Sequence, residues 1–404
     1  MGSERAPLAM NDSDSLRPGT RCVHGPAAPS GLPEALVAPV VHSATFRLDD
    51  EAYALRAAGE GQRVRVYSRE ANPTVQEVEG RLAALEGAEQ ALLFASGQAA
   101  LHALLLSSLE RGQHVVAMRD LYGGSSALLG ELLPRLGVEL SLVPVEQPDA
   151  LERALRPETR LVYCESLSNP TLAAADLPRL AALAHGAGAL LAVDATFVTP
   201  LLQRPLELGA DLVMHSATKY LAGHSDVVGG VLAGSSERLA PALRWRTNAG
   251  GCLDPQAAFL IGRGLKTLHL RMDAHCANAA LLAAVLAEHP AVERTHYPSL
   301  AEHPSSAVAA RLLQAPGGML SFVHAGGGAG AHRFLGALEL FADAASLGGV
   351  ESLAVSPARM SHAHLSPEQR AELGIADGLV RLSVGVEDVL DLEADLTRAL
   401  EQSA

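Results

Sequence analysis

The sequence predicts an α/β protein: a mostly parallel central sheet covered by helices, followed by a smaller C-terminal α/β domain. Two observations carry this prediction. Short, nearly continuous apolar runs, HVVAM (114–118), RLVYCES (160–166), ALLAVDAT (189–196), ADLVMHS (210–216) and GGVLAG (229–234), recur between segments of helical spacing. Strands so uniformly apolar are buried on both faces, as in parallel sheets flanked by helices. From about residue 255 the texture then changes, to longer helices over 256–288 and a mixed α/β stretch that closes at residue 404.

Taken in order, residues 1–35 are rich in Pro, Gly, Ser and Ala and read as a loosely ordered tail leading into an arm that extends to residue 66. From Thr74 the pattern turns helical: Val75, Val78, Leu82 and Leu85 recur at spacings of three and four, and Gly87 stops the run. Segments 125–137 and 171–187 also have helical spacing and separate the predicted strands. The expected division is an N-terminal tail and arm (1–66), a large domain (67–255) and a small C-terminal domain (256–404).

Composition bounds the function. Of 404 residues, 48% are hydrophobic and 19% charged, as in an ordinary globular protein, and the formal charge of −14 repels phosphate backbones. Nucleic acid and anionic membranes are therefore poor partners, and any local positive charge reads as a site for a small anion. Cys22, Cys164, Cys252 and Cys276 form no CxxC pair, which argues against a metal site and for a reducing compartment. The N-terminal MGSERAPLAMNDSDSLRPG has no apolar leader-like core. The expectation is a soluble, cytoplasmic enzyme acting on a small molecule.

The segment HSATKYLAGHSD (215–226) carries the most chemistry. Read alone, Lys219 after a buried strand is more ordinarily a lysine reaching solvent. The functional reading is a Schiff-base lysine for pyridoxal 5′-phosphate (PLP), with Ser216 and Thr218 donating to the phosphate. Upstream, Asp194 ends the apolar run LLAVD, where an unpaired carboxylate is costly to desolvate. A helix cap would explain it; so would a protonated pyridine nitrogen, whose positive charge a carboxylate preserves. In FASGQAALHALL (94–105), Ser96 and Gly97 follow a short apolar strand and open a helix whose first amides suit a phosphate, a weak signal by itself. Tyr122, in LYGGSS (121–126), either lies over a cofactor ring or is plain core. Strand ends are where open α/β sheets bind ligands, and Asp194, Ser216 and Lys219 all fall at or just past them.

These segments, with YSREANPT (67–74), SGQAA (96–100), YGGS (122–125), ESLSNPT (165–171), VDATF (193–197), RGLKTLHLRM (263–272), SLGGVESL (346–353) and RLSVGVED (381–388), resemble the Cys/Met-metabolism family of fold-type I PLP-dependent enzymes. That family includes cystathionine γ-synthases, cystathionine and methionine γ-lyases and acylhomoserine sulfhydrylases. The resemblance runs in order from about Pro39 to the C-terminus. It implies that Lys219 carries the cofactor and shuttles protons, and that Asp194 pairs with the ring nitrogen. Ser216, Thr218 and the amides of Gly97 and Gln98 would hold the phosphate. Tyr122 would stack on the ring and act as acid toward the leaving group, and Asn169 would lie near the ring hydroxyl. Arg381, with Ser346, would bind the substrate carboxylate. Tyr67 and Arg69 would reach the phosphate of a neighbouring subunit, which implies a homo-oligomer, at least a dimer and by family habit a tetramer.

The chain departs from the family pattern at several positions. Ala195 follows the ring aspartate where Asn is usual, and Gln98 replaces a typical Met of the phosphate turn. Ala345 stands where enzymes handling cystathionine often carry Glu, which favours a methyl thioether or an acyl ester. Gly124 stands where methionine γ-lyases typically have Cys, which pulls the other way. The expected activity is α,γ-elimination on a sulfur amino acid of the methionine, homocysteine or cystathionine type. Cystathionine γ-synthase or O-acylhomoserine sulfhydrylase activity is the alternative. A dehydrogenase reading of AGGGAG (325–330) fails for want of a βαβ context and is better explained as a strand-to-helix turn; GHSDV (223–227) lacks the second Gly of a hydrolase elbow. A non-catalytic protein of this fold is disfavoured by the joint presence of Lys219, Asp194, Tyr122, Arg69 and Arg381.

Overall fold

The computed structural model describes residues 17–23, 36–58, 64–145, 147–363 and 365–404. Most of the expected N-terminal tail therefore lies outside the described residues. Within it, Pro18–Val23 form a helix whose Cys22 is fully buried in the main core. Arg81 Nη1 donates to the carbonyls of Cys22 and Val23, both at 3.2 Å, so this turn is tied to the body.

The helix Pro73–Glu86 shows how the local sequence sets an element. Asn72 caps it by accepting from Thr74 N at 2.9 Å, Pro73 occupies the first turn, and Gly87 ends it at φ 68°. Val75, Val78, Leu82 and Leu85 are all buried, each such side chain contributing roughly 1.5–3 kcal/mol when fully removed from water.

The large sheet comprises β1 (Gln90–Phe94), β2 (His114–Met118), β3 (Glu139–Val143), β4 (Thr159–Glu165), β5 (Leu190–Asp194), β6 (Leu212–Ser216) and β7 (Gly230–Gly234), in the order β1-β7-β6-β5-β4-β2-β3. β7 is antiparallel to β1 and β6, and the remaining pairs are parallel. Every residue of β2 is buried, as its apolar run predicts. β3 is different: Glu139 and Leu142 are exposed and only Val143 is buried, because it is the sheet's edge. The helical reading of 171–187 is also shortened, to Leu177–Gly186. Residues 171–176 instead fold back, with Leu172 at φ 61° and an antiparallel bridge between Leu167 and Ala174. Pro178 in the first turn then sets where the helix starts.

The second sheet comprises β8 (Val292–His296), β9 (Met319–His324), β10 (Ala342–Asp343), β11 (Leu353–Val355) and β12 (Leu379–Ser383), in the order β10-β11-β12-β9-β8. The glycine run after β9 is a strand-to-helix turn, with Gly327 at φ 62° opening the helix Gly327–Ala337. The helix Leu268–Glu288 joins the two cores: Leu268, Met272 and Cys276 pack in the first, and Ala279, Leu282 and Leu286 in the second. By length and composition it is apolar enough to cross a membrane, but its buried residues pack in the two cores. Its Arg271 and His275 tie it to the chain just past β6 and just past β12. Arg271 Nη1 donates to Tyr220 O at 2.7 Å, and His275 Nδ1 lies 2.6 Å from Val384 O.

Candidate active site

Three parallel central strands end in polar residues at the carboxyl end of the large sheet: Glu165 on β4, Asp194 on β5 and Ser216 on β6. Beyond β6 the chain makes a tight turn in which Lys219 N donates to Ser216 O at 3.2 Å and Gly223 N to Lys219 O at 2.8 Å. Arg271 clamps the outside of this turn so closely that a Cβ on Gly223 would lie 2.0 Å from its Nη1. Gly348 approaches from the second sheet's side, where a Cβ would lie 2.7 Å from Tyr220 N. Lys219 is thus aimed by packing from two directions.

These strand ends form one wall of a cavity of about 460 Å³. Of the residues singled out in the sequence, Gly97, Gln98, Tyr122, Gly124, Asn169, Asp194, Ser216, Thr218, Lys219, Ala345, Ser346 and Arg381 all line it. Tyr67 and Arg69 do not. They are exposed, with the Arg69 guanidinium 5.5 Å from the centre of the Tyr67 ring and Arg69 Nη1 donating to Thr247 O at 2.7 Å.

The carboxylate of Asp194 is fixed through one oxygen. Oδ1 accepts from Thr196 N at 2.9 Å and from Thr196 Oγ1 at 2.5 Å, leaving Oδ2 without a hydrogen-bond partner among the described residues. Burial pushes its carboxyl above the usual range, and the two Thr196 bonds pull it back. Thr196 Oγ1 also accepts from Ser216 N at 2.8 Å, tying the ends of β5 and β6 together. Opposite, Ser96 caps the helix Gly97–Ser108 by accepting from Ala99 N at 3.1 Å. The amides of Gly97 and Gln98 in that first turn have no helical carbonyl to accept them. A Cβ on Gly97 would lie 3.1 Å from Ser216 Cβ, and one on Gly230 2.1 Å from Ser96 O, so glycine keeps the helix tip pressed against the end of β6. Thr218 Oγ1 accepts from Gly229 N at 3.1 Å, which braces the same corner.

The second wall comes from β12 and the segment before β11. Lys219 Nζ donates to Ser346 Oγ at 2.8 Å; Ser346 itself sits at φ 91°, a left-handed conformation that a serine adopts only under constraint. Burial, reinforced by the charge of Arg381, holds the Lys219 amine down to about 8. Arg381 is 4% exposed. Its Nη1 donates to Asn169 Oδ1 at 3.1 Å and its Nη2 to Ser346 O at 2.9 Å, whereas Nε is buried with no partner. Both acceptors are neutral, so among the described residues a buried positive charge faces the cavity without a counter-ion. Leaving a charge so placed is costly unless an anion arrives to match it.

Tyr122 stands at the start of the helix Gly123–Leu136, 47% exposed. A Cβ on Gly124 would lie 2.5 Å from Tyr122 Cε1, so the glycine makes room for this ring position. Phe197, Val228, Leu347 and Met360 give the cavity an apolar side next to Ala345.

Several lining residues had not been singled out. Glu165 was legible: it ends its strand as Asp194 ends the next, and the two are register partners. Thr196 is in VDATF, but its role as the clamp on Asp194 is visible only in three dimensions. Met360 and Ser361 come from a segment without periodic pattern, and nothing in the sequence marks them.

The arrangement matches known proteins along nearly its whole length. The family model described as Cys/Met metabolism PLP-dependent enzyme matches residues 19–401. An L-methionine gamma-lyase of Pseudomonas putida is 46% identical over 98% of this chain and 100% of its own length. A cystathionine gamma-lyase of Bacillus subtilis (strain 168) is 47% identical over 83% of this chain and 88% of its own. Among solved structures, a cystathionine gamma synthase from Xanthomonas oryzae pv. oryzae, in complex with aminoacrylate and cysteine, superposes with a TM-score of 0.91. It is 38% identical, covering 96% of this chain and 98% of that one.

Proposed function

The chain belongs to the Cys/Met metabolism PLP-dependent enzyme family, and from that premise we propose that it is a carbon–sulfur γ-lyase acting on methionine, homocysteine or cystathionine. Its fold is fold-type I and its cofactor is pyridoxal 5′-phosphate. The net reaction breaks the Cγ–S bond and gives 2-oxobutanoate, ammonia and a thiol, with water consumed. The observation that carries the reading is the pairing of Lys219 with Ser346 beside the uncompensated guanidinium of Arg381. An amine near neutral pKa and a carboxylate receptor thereby share one cavity.

The residues present fit the cofactor. The glycine-lined helix tip beside Ser216 is a cradle for a phosphate, and Asp194 offers a free oxygen in a buried setting that a pyridinium would match. Ser216, Thr218 and the amides of Gly97 and Gln98 would hold the phosphate, Asp194 the ring nitrogen and Lys219 the aldehyde carbon. When bound, the cofactor captures the substrate amine and takes up the electron pair left by a departing proton.

The chain's own groups do the rest. Arg381 binds the substrate carboxylate, its orphaned Nε and one Nη forming a fork, while Asn169 and the Ser346 carbonyl keep the guanidinium in place. Lys219 Nζ, steered by Ser346 Oγ, moves the proton at Cα. Tyr122, at the cavity mouth, supplies the proton to the leaving sulfur. The apolar side formed by Phe197, Val228, Met360 and Ala345 takes the thioether and sheds water.

Tyr67 and Arg69, stacked and exposed outside this cavity, would complete the phosphate site of a second copy, making the enzyme a homo-oligomer. A cytoplasmic setting is supported by the unpaired thiols of Cys22, Cys164, Cys252 and Cys276.

γ-Replacement is the second reading, as in a cystathionine γ-synthase or O-acylhomoserine sulfhydrylase. Gly124 favours it, because this Tyr122 ring position excludes any side chain at 124, a cysteine included. Product analysis separates the two. L-Methionine, L-homocysteine, L-cystathionine and O-acylhomoserines are supplied singly, with and without thiol, and products are identified by mass spectrometry. The proposal expects 2-oxobutanoate from a thioether or thiol amino acid without added thiol. A thioether formed only from an acylhomoserine plus thiol would replace it with the second reading.

A further inference from the structure

Glu165 ends β4 opposite Asp194 in register, is 6% exposed and lines the cavity, yet the reading above gives it no ligand. Its partners are parts of the protein. Oε1 accepts the backbone N–H of Tyr122 at 2.6 Å, and the backbone N–H of Asn169 faces the same carboxyl. Tyr122 depends on such an anchor. Its side chain makes no capping bond, and its hydroxyl has no hydrogen-bond partner among the described residues. Its carbonyl accepts from Ser125 N at 2.9 Å and Ser126 N at 3.0 Å. The Tyr122 backbone is therefore fixed on one side by the helix's first turn and on the other by Glu165, and from it the ring projects over Gly124 with no bond at its hydroxyl to hold it.

We propose that Glu165 is a positioning residue: its carboxyl holds the Tyr122 amide, and through it the phenol, in line with the leaving group. The inference rests on the reading of Tyr122 as the acid toward the leaving group. Burial, with the negative charge of Asp194 beside it, raises the Glu165 carboxyl well above the usual range. A neutral acceptor is enough for the Tyr122 N–H, because a carbonyl oxygen accepts it as a carboxylate oxygen does.

The test uses holoenzyme whose cofactor content is first equalised by absorbance. Glu165→Gln keeps the acceptor and is expected to hold kcat within about threefold and leave the pH profile unmoved. Glu165→Ala is expected to lower kcat about tenfold with KM within about twofold, the loss of one buried hydrogen bond. In a Tyr122→Phe background, where there is no hydroxyl left to aim, the Ala substitution should add less than about twofold. Full additivity of the two losses overturns the proposal. So does a Gln variant that carries full cofactor yet loses more than about tenfold, and this arm decides the matter if the Ala variant does not fold. A Tyr122→Phe variant with unchanged turnover instead removes the acid assignment itself, a failure distinct from additivity.

Discussion

The two walls of the cavity are built differently. One is made of strand ends, Glu165, Asp194 and Ser216, spaced by the parallel register of β4, β5 and β6, with Asp194 and Ser216 tied together through Thr196. The other mixes Arg381, buried in the middle of β12, with Ala345, Ser346, Met360 and Ser361 from irregular segments. Backbone hydrogen bonds fix the first wall, so its geometry has little freedom to vary. Most of the second wall's positions answer to loop conformation, and its outermost residues, Ala345 and Met360, are exposed. Under the proposed function, the chemistry of electron and proton transfer would reside in the first wall and the choice of substrate in the second.

If this division holds, Lys219→Ala should have the largest effect, lowering turnover by on the order of 10³-fold or more while leaving the circular dichroism unchanged. Steady-state kinetics on folded protein checks it. Arg381→Leu should come next, costing about 10- to 100-fold in kcat/KM, mostly through KM, because the charge-assisted bonds to the carboxylate go. An effect confined to kcat would place Arg381 with the first wall instead.

The amine of Lys219 gives a pH test. Because its pKa is lowered to about 8, the reactive neutral form predominates above that pH and is lost as pH falls through it. Uptake of pyridoxal phosphate by the apo protein, followed by its colour, should therefore quicken about tenfold from pH 7 to pH 9. A lysine with the ordinary value would still be gaining rate steeply beyond pH 9. The smallest effect is expected at the exposed rim: Ala345→Glu should raise preference for cystathionine over methionine only a few-fold, since an exposed charge pair is worth about 1 kcal/mol or less. Competition assays with both substrates measure it.

The same contrast explains what the sequence revealed. β2, β4, β5 and β6 were legible because a strand buried on both faces is a continuous apolar run, and its polar terminus stands out against it. β3 was not, since an edge strand such as ELSLV shares its polarity with loops. The return of residues 171–176 is hidden in the sequence because Leu172 to Ala175 have helical composition, and only the left-handed φ of 61° at Leu172 turns the chain back. In the site, Asp194, Ser216 and Lys219 stood out only in combination, each at or just past an apolar strand end, and Arg381 and Ser346 came through resemblance. Met360 came through neither, because a loop residue that meets a cavity leaves no periodicity behind it. The positioning role of Glu165 needed the Tyr122 contact, which spans 43 residues.

Lys219 and Lys266 are the two lysines of the chain. Borohydride reduction of the holoenzyme followed by peptide mass mapping therefore tests the central claim directly. The account predicts a stable pyridoxyl label on the peptide containing Lys219 and none on that containing Lys266. A label on Lys266, or no label on either peptide of a fully loaded protein, would contradict it.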